Sequence, residues 1–317
     1  MTISEFLVSN GIPFQENVLL SEKSWIKTGG LCAYWVTPVD IGQLKCACRF
    51  LYQNDAQFDV VGHTSNIFFH SAYNPKVVVS TIKLNHFEVD NDIVNCECGV
   101  SVIKLAKFLL SEGYSGFYGL VGLPGTVASS IYNNAGCFSC SLSSLLYSID
   151  VLTPRGDIQT FKPEDLSFTH RSSAFKRGDL IGVILSVKLK IVKAECREEE
   201  LKKSDATKKY RKENQEGPYR NLGSVFSVLK PRHNIRNRLA SKLAKVVEFA
   251  KLSDRRIAYK RLLLILYNYV DLDKYVSNKQ LNTFVWLDKD AEHKFERYKE
   301  FMGKVYKDLT LEIEEKR

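Results

Sequence analysis

The feature that most constrains this chain is a change of periodicity near Lys193. From Leu31 to about Val192, short β-type stretches and a few helical patterns are separated by frequent turn residues, whereas the sequence beyond is charged and helical. A chain of 317 residues that carries both patterns in succession exceeds the usual size of a single core and is expected to fold as two domains. The expected division is an N-terminal lead-in over 1–19, a first domain over 20–192 and a smaller second domain over 193–317, all α+β.

Local patterns give this outline detail. In DIVNCEC, Val94, Cys96 and Cys98 fall on one face and Asn95 and Glu97 on the other, as a half-buried strand requires. Ser101 is placed to cap a helix on which Val102, Leu105, Ala106, Leu109 and Leu110 recur at helical spacing, with Gly113 at the left-handed stop. Further strands are expected at Lys76–Ile82, Ser148–Thr153 and Leu180–Val192, and a last helix near Ala291–Tyr306.

Composition excludes several classes. With 44% hydrophobic residues the chain has enough apolar side chain to offset folding entropy, so global disorder is excluded. The longest apolar run, Leu262–Tyr267, falls far short of the ~20 residues that cross a bilayer, and no basic segment leads into a long apolar one at the N-terminus. Eight cysteines are spread along the chain without a signal peptide, so reduced thiols in a cytoplasm are expected. Cys137 and Cys140 form a CxxC without a second pair at zinc-ligand spacing, the six histidines are scattered, and no metal site is expected.

The net charge of +9 is uneven: residues 201–270 hold 10 Lys and 8 Arg against 5 acids. Such a segment suits nucleic acid, an acidic membrane surface or a phosphorylated small molecule, and a solvated helical surface is the plain alternative. No aromatic-interleaved basic motif of a nucleic-acid reader is visible. Neither nucleic acid, membrane nor an obligate protein partner is expected.

Two turns carry chemistry. In DVVGHTSNIFF a β-like run enters Gly62, His63, Thr64, Ser65 and Asn66 and leaves as another, a turn able to present successive N–H groups and two hydroxyls to a diphosphate. In GLVGLPGTVASSIYNNAG, Gly122, Pro124 and Gly125 shape a tight turn into a helix beginning near Thr126, whose N-terminus is expected to attract phosphate. Two further segments are FTHRSSAFK (Phe168–Lys176) and YRNLGSVFSVLKP (Tyr219–Pro231).

In order and spacing these four segments resemble the UDP-N-acetylenolpyruvoylglucosamine reductase family, flavoenzymes of peptidoglycan precursor synthesis. SWIKTGGLCAYWVTP is similar to that family's entry strand, Asn134, Ala135 and Gly136 in NNAG to its flavin-facing turn, and TLEIEEKR to its Leu-Glu-x-Glu segment. The resemblance implies a vanillyl-alcohol-oxidase-like, PCMH-type FAD-binding domain followed by a substrate-binding domain, with NADPH reducing FAD and the flavin reducing UDP-N-acetylglucosamine enolpyruvate to UDP-N-acetylmuramate. It implies a catalytic role for Ser224, as the acid that protonates the substrate carbon, and for Arg171 and Glu314, flanking the substrate carboxylate. Arg211 and Gln215 match places that contact the UDP-sugar. His63 invites comparison with flavoproteins that attach FAD through a histidine; this family does not.

The chain departs from the family pattern at several points. Thr64 stands where a further glycine is usual, Ala128 and Ser129 replace paired glycines, and Ser227–Pro231 replaces a Lys-Asn-Pro continuation. Glu216 stands in the place of a proline, and Gln280 in that of a histidine. Two other readings therefore stand beside the reductase: a flavoprotein acting on another nucleotide sugar, and a non-catalytic relative that has lost flavin.

Overall fold

The computed structural model describes residues 1–217 and 219–317. The chain divides into two compact units. One holds Met1–Lys23, Gly29–Thr64 and Ser71–Lys208; the other holds Ser24–Thr28, Ser65–His70 and Lys209–Arg317. The second unit thus draws two short pieces from the N-terminal part of the chain, which a linear boundary at residue 193 does not provide.

In the first unit, a four-stranded sheet runs in the order Phe14–Leu19, Leu31–Val36, Val77–Ser80, Phe58–Val61. Its first pair is antiparallel, with Phe14 opposite Val36, and the other two pairs are parallel. The stretch expected as a lead-in is therefore part of the fold: it supplies this edge strand and the helix Ile3–Ser9, closed by a Thr2–Glu5 capping box. Val36, Val77 and Val79 pack with Leu44 and Leu51 of the helix Ile41–Gln53.

A second, antiparallel sheet orders Ile158–Phe161, Leu146–Leu152, Val183–Lys190, Ile93–Glu97 and Phe87–Asp90. Val94 and Cys96 are buried, as the alternation predicts, and the helix Val102–Ser111 packs Leu105 and Leu109 into the same core. Ser101 caps that helix through the Lys104 N–H, and Gly113 follows it at φ +81°.

In the second unit, the helices Ile235–Phe249, Arg255–Tyr267 and Ala291–Val305 share a core with short antiparallel ribbons: Arg220–Asn221 with Val285–Trp286, and Phe226–Pro231 with Tyr306–Leu311. The strand Glu314–Lys316 pairs in parallel with Ile67–Phe69. Aromatic rings fill the centre: Phe284 lies 4.7 Å from Trp286 and 5.1 Å from Phe295, both edge-on. The charged stretch after Lys193, expected to be helical, forms the helix Arg197–Asn214, which runs from the first unit into the second. All eight cysteines are free thiols, and among the described residues no helix is long and apolar enough to cross a membrane.

Candidate active site

The turn Gly62–Asn66 links the strand Phe58–Val61 to Ile67–Phe69. Gly62 abuts Thr126: a Cβ at this position would stand 2.7 Å from the threonine Oγ1, closer than any side chain tolerates, so the turn can only be this tight with glycine. Thr64 is buried and adopts φ +54°, a left-handed conformation that a β-branched residue occupies only under strain. A glycine would hold this backbone without that cost. The backbone N–H groups of His63, Ser65 and Asn66 make no hydrogen bond among the described residues. Backbone donors of this kind on one turn fit an anionic group such as a diphosphate.

The second turn behaves differently. Leu120–Gly122 forms one 3-10 turn, Pro124 is exposed, Gly125 is buried, and the helix Val127–Asn133 starts after Thr126. The expectation that this helix start attracts phosphate through its N–H groups is not met. Val127 N–H donates to the Val100 carbonyl at 2.8 Å and Ala128 N–H to the Cys98 carbonyl at 3.2 Å. Ser129 N–H donates to Thr126 Oγ1, while Ser129 Oγ accepts from Thr126 N–H, a reciprocal cap. The first-turn donors of this helix are spent inside the protein. Ser129 also has its own local work here, which accounts for its presence where paired glycines are usual.

His63 joins the two turns. Its imidazole is held below the ordinary histidine pKa, first by partial desolvation among the surrounding loops and further by the nearby Lys104 charge; a hydrogen bond to the Gly125 backbone opposes them.

Asn134 ends the helix at φ +45°, in a left-handed conformation that asparagine tolerates. Its amide donates to the Thr169 carbonyl at 2.7 Å, and its Oδ1 accepts from Ser143. Ser173 Oγ donates to the Tyr132 carbonyl at 2.6 Å and Lys176 Nζ to Asn133 Oδ1 at 2.9 Å. The Asn134-Ala135-Gly136 turn is thereby tied to the segment 169–176. Thr169 and Ser172 exchange both backbone hydrogen bonds, so Arg171, at φ +55°, sits on the tip of a two-residue hairpin. This arrangement holds Arg171 to the turn expected to face flavin. Sequence spacing does not reveal it.

In the second unit, Ser224 is exposed, between Gly223 at φ +72° and the strand Phe226–Pro231. The backbone after it is fixed on two sides. Asn282 takes the Phe226 N–H and returns its amide to the Phe226 carbonyl, and the Val225 carbonyl accepts from Glu312 N–H at 2.8 Å. Glu314 N–H donates to the Asn66 carbonyl at 2.9 Å, and the Asn66 amide donates to the Glu312 carbonyl at 3.3 Å. Ser224 and Glu314 are thus carried on backbone segments joined by one hydrogen bond, with Asn66 and Asn282 as side-chain clamps that the motifs did not single out.

Arg211 and Gln215 meet each other, Nη1 donating to Oε1 at 2.9 Å on one helical turn. Lys279 closes that turn by donating to the Lys212 and Gln215 carbonyls. Glu216 accepts from Ser277 Oγ at 2.7 Å; this bond gives the glutamate a local role at the place where a proline is usual.

Among the described residues, one cluster brings metal-ligand types within reach of a single ion: His70, Glu296 and Glu315. Both carboxylates are already paired with cations, Glu315 with Lys299 at 2.7 Å and with Arg317, and Glu296 with Lys299 at 3.0 Å. We read it as an ion-pair cluster beside the Glu314–Lys316 strand.

Residues 32–162 match the FAD binding domain family. A UDP-N-acetylenolpyruvoylglucosamine reductase of Streptococcus pneumoniae strain 70585 is 33% identical over 184 residues, 58% of this chain and 60% of that protein. The same-named protein of strain Hungary19A-6 is 31% identical over 181 residues, 57% and 60% respectively. The chain spans about three fifths of the length of the curated relatives it matches. In structure, the UDP-N-acetylenolpyruvylglucosamine reductase of Thermus caldophilus superposes with a TM-score of 0.68 at 19% identity, over 96% of this chain and all of that one. The resemblance carried by the motifs is borne out, and the α+β, PCMH-type FAD-binding fold with it.

Proposed function

We propose that this relative of the UDP-N-acetylenolpyruvoylglucosamine reductases is itself such a reductase, converting UDP-N-acetylglucosamine enolpyruvate to UDP-N-acetylmuramate with NADPH in the cytoplasm. The observation that carries the reading is that the FAD binding domain match encloses both turns and NNAG, while the backbone N–H groups of His63, Ser65 and Asn66 make no hydrogen bond among the described residues. FAD, when bound, supplies the hydride that NADPH delivers. Gly62, His63, Thr64, Ser65 and Asn66 would hold its diphosphate, Gly122, Pro124, Gly125 and Thr126 would border it, and Asn134, Ala135 and Gly136 would face its ring.

Reduction of the enol ether adds one hydride and one proton across the double bond. Ser224 donates the proton from Oγ to the substrate carbon. A serine hydroxyl is a weak acid, so the transfer requires a strongly basic, enolate-like partner and groups that stabilise the alkoxide left behind. Arg171 neutralises the substrate carboxylate, and Glu314 hydrogen-bonds to it, so negative charge developing on the substrate is met by fixed groups. Arg211 and Gln215 contact the UDP-sugar.

A second reading keeps the flavoprotein and changes the sugar. It is favoured by Ser227–Pro231, which here lies in a β-ribbon with Ser227 Oγ bonded to the Thr310 carbonyl at 3.3 Å. NADPH oxidation measured with and without UDP-N-acetylglucosamine enolpyruvate separates the two. Beyond the one equivalent that reduces bound flavin, the reductase turns over NADPH anaerobically only with this substrate and yields a product two hydrogens heavier; the second reading predicts no stimulation.

A further inference from the structure

The helix Ile235–Phe249 is built inside out. Its inward positions are small or polar, Asn237, Ala240 and Ala244, all buried. The large apolar residues Ile235, Leu239, Leu243, Val246 and Phe249 recur on the opposite face and stand in solvent, Phe249 at 91% exposure and Ile235 at 82%. Leu252, just beyond the helix, is exposed as well. A surface helix ordinarily turns such a stripe to the core. A continuous exposed stripe of this size marks a surface that something else covers.

Charge on the same helix identifies what covers it. Arg236, Arg238, Lys242 and Lys245 are exposed along the stripe, with Lys251 after it, and the helix carries a single acid, Glu248. A second copy of the chain would bring these cations against their own kind as they lost water, a juxtaposition that disfavours association. Nucleic acid would satisfy the cations through its phosphates and leave the apolar stripe without a counterpart. A lipid surface with anionic headgroups meets both needs, since apolar side chains enter the acyl boundary while flanking Lys and Arg meet the headgroups.

We infer that the exposed face of Ile235–Phe249 is a peripheral docking surface for anionic lipid membranes. The expectation of no membrane partner rested on the lack of a spanning segment, and a helix lying in the interface needs none. The inference is independent of the reductase reading.

Flotation of the full chain with vesicles of phosphatidylglycerol and phosphatidylcholine, and with phosphatidylcholine alone, tests it. The protein is expected to float with the anionic vesicles, to release at high salt, and not to float with the neutral ones. Leu243→Ser/Phe249→Ser and Lys242→Glu/Lys245→Glu, all on exposed positions, should each weaken binding about tenfold or more while leaving thermal unfolding unchanged. No flotation of the unaltered protein, or flotation of both double variants equal to that of the unaltered protein, would overturn the inference. So would a dimer in solution that Phe249→Ser dissolves, which would assign the face to a second copy.

Discussion

Asn66 holds the backbone on both sides of Ile313: its carbonyl accepts from Glu314 N–H at 2.9 Å, and its side-chain amide donates to the Glu312 carbonyl at 3.3 Å. One residue of the early turn thereby fixes the strand that carries a proposed catalytic glutamate. Asn66→Ala should remove the side-chain bond and cost ~1 kcal/mol of stability. The check is chemical denaturation; an unchanged midpoint would show that the amide does not hold the strand.

Asn134 ends its helix in a left-handed conformation and donates to the Thr169 carbonyl of the hairpin carrying Arg171. Asn134→Ala places a less tolerant residue at positive φ and deletes two bonds, so a loss of roughly 2–3 kcal/mol is expected. Asn134→Gly keeps the backbone and should lose less. If the two variants were equally destabilised, the left-handed conformation would not be what asparagine serves.

Ser224→Ala should leave reduction of bound flavin by NADPH intact and abolish its reoxidation by the enolpyruvyl sugar. Rapid-mixing absorbance separates the two half-reactions. Undiminished turnover would remove Ser224 from the proton transfer.

Thr64 occupies a strained backbone conformation beside the proposed diphosphate position. Thr64→Gly removes the Cβ and the strain, worth ~1 kcal/mol against a smaller entropy loss on folding, and should tighten FAD binding. Fluorescence titration with FAD gives the answer; weaker binding would mean that the threonine side chain, not the backbone, is what this turn requires.

His63 contributes a pH dependence of definite sign. Its folded pKa lies below the ordinary 6.5, so the unfolded chain takes up the proton first as pH falls. Stability contributed by the neutral ring is present above the ordinary value and is lost as pH drops toward the depressed one. In His63→Gln that part of the acid sensitivity should disappear. Denaturation midpoints at neutral and mildly acidic pH measure it, and an identical slope in both proteins would contradict the assignment.

Much of this was legible where the signal is local. Alternation gave the strand through Val94 and Cys96, and the Ser101 cap and Gly113 stop bracketed their helix. The motif order pointed to the FAD binding domain that residues 32–162 match. What escaped depends on distant partners. Nothing near Ile67–Phe69 announces pairing with Glu314–Lys316, so a boundary drawn along the sequence could not assign Ser65–His70 to the second unit. The donors at the start of Val127–Asn133 looked open because the Val100 and Cys98 carbonyls that take them lie on another segment. Ser129 was read as a lost glycine, although Thr126-x-x-Ser129 is itself a capping pattern.

The measurement that tests the central claim most directly is the visible spectrum of the FAD-loaded, desalted protein under anaerobic NADPH, followed by UDP-N-acetylglucosamine enolpyruvate. The account predicts flavin absorbance that bleaches with NADPH and returns when the sugar is added. Absence of retained flavin, or bleaching that the sugar does not reverse, would contradict it.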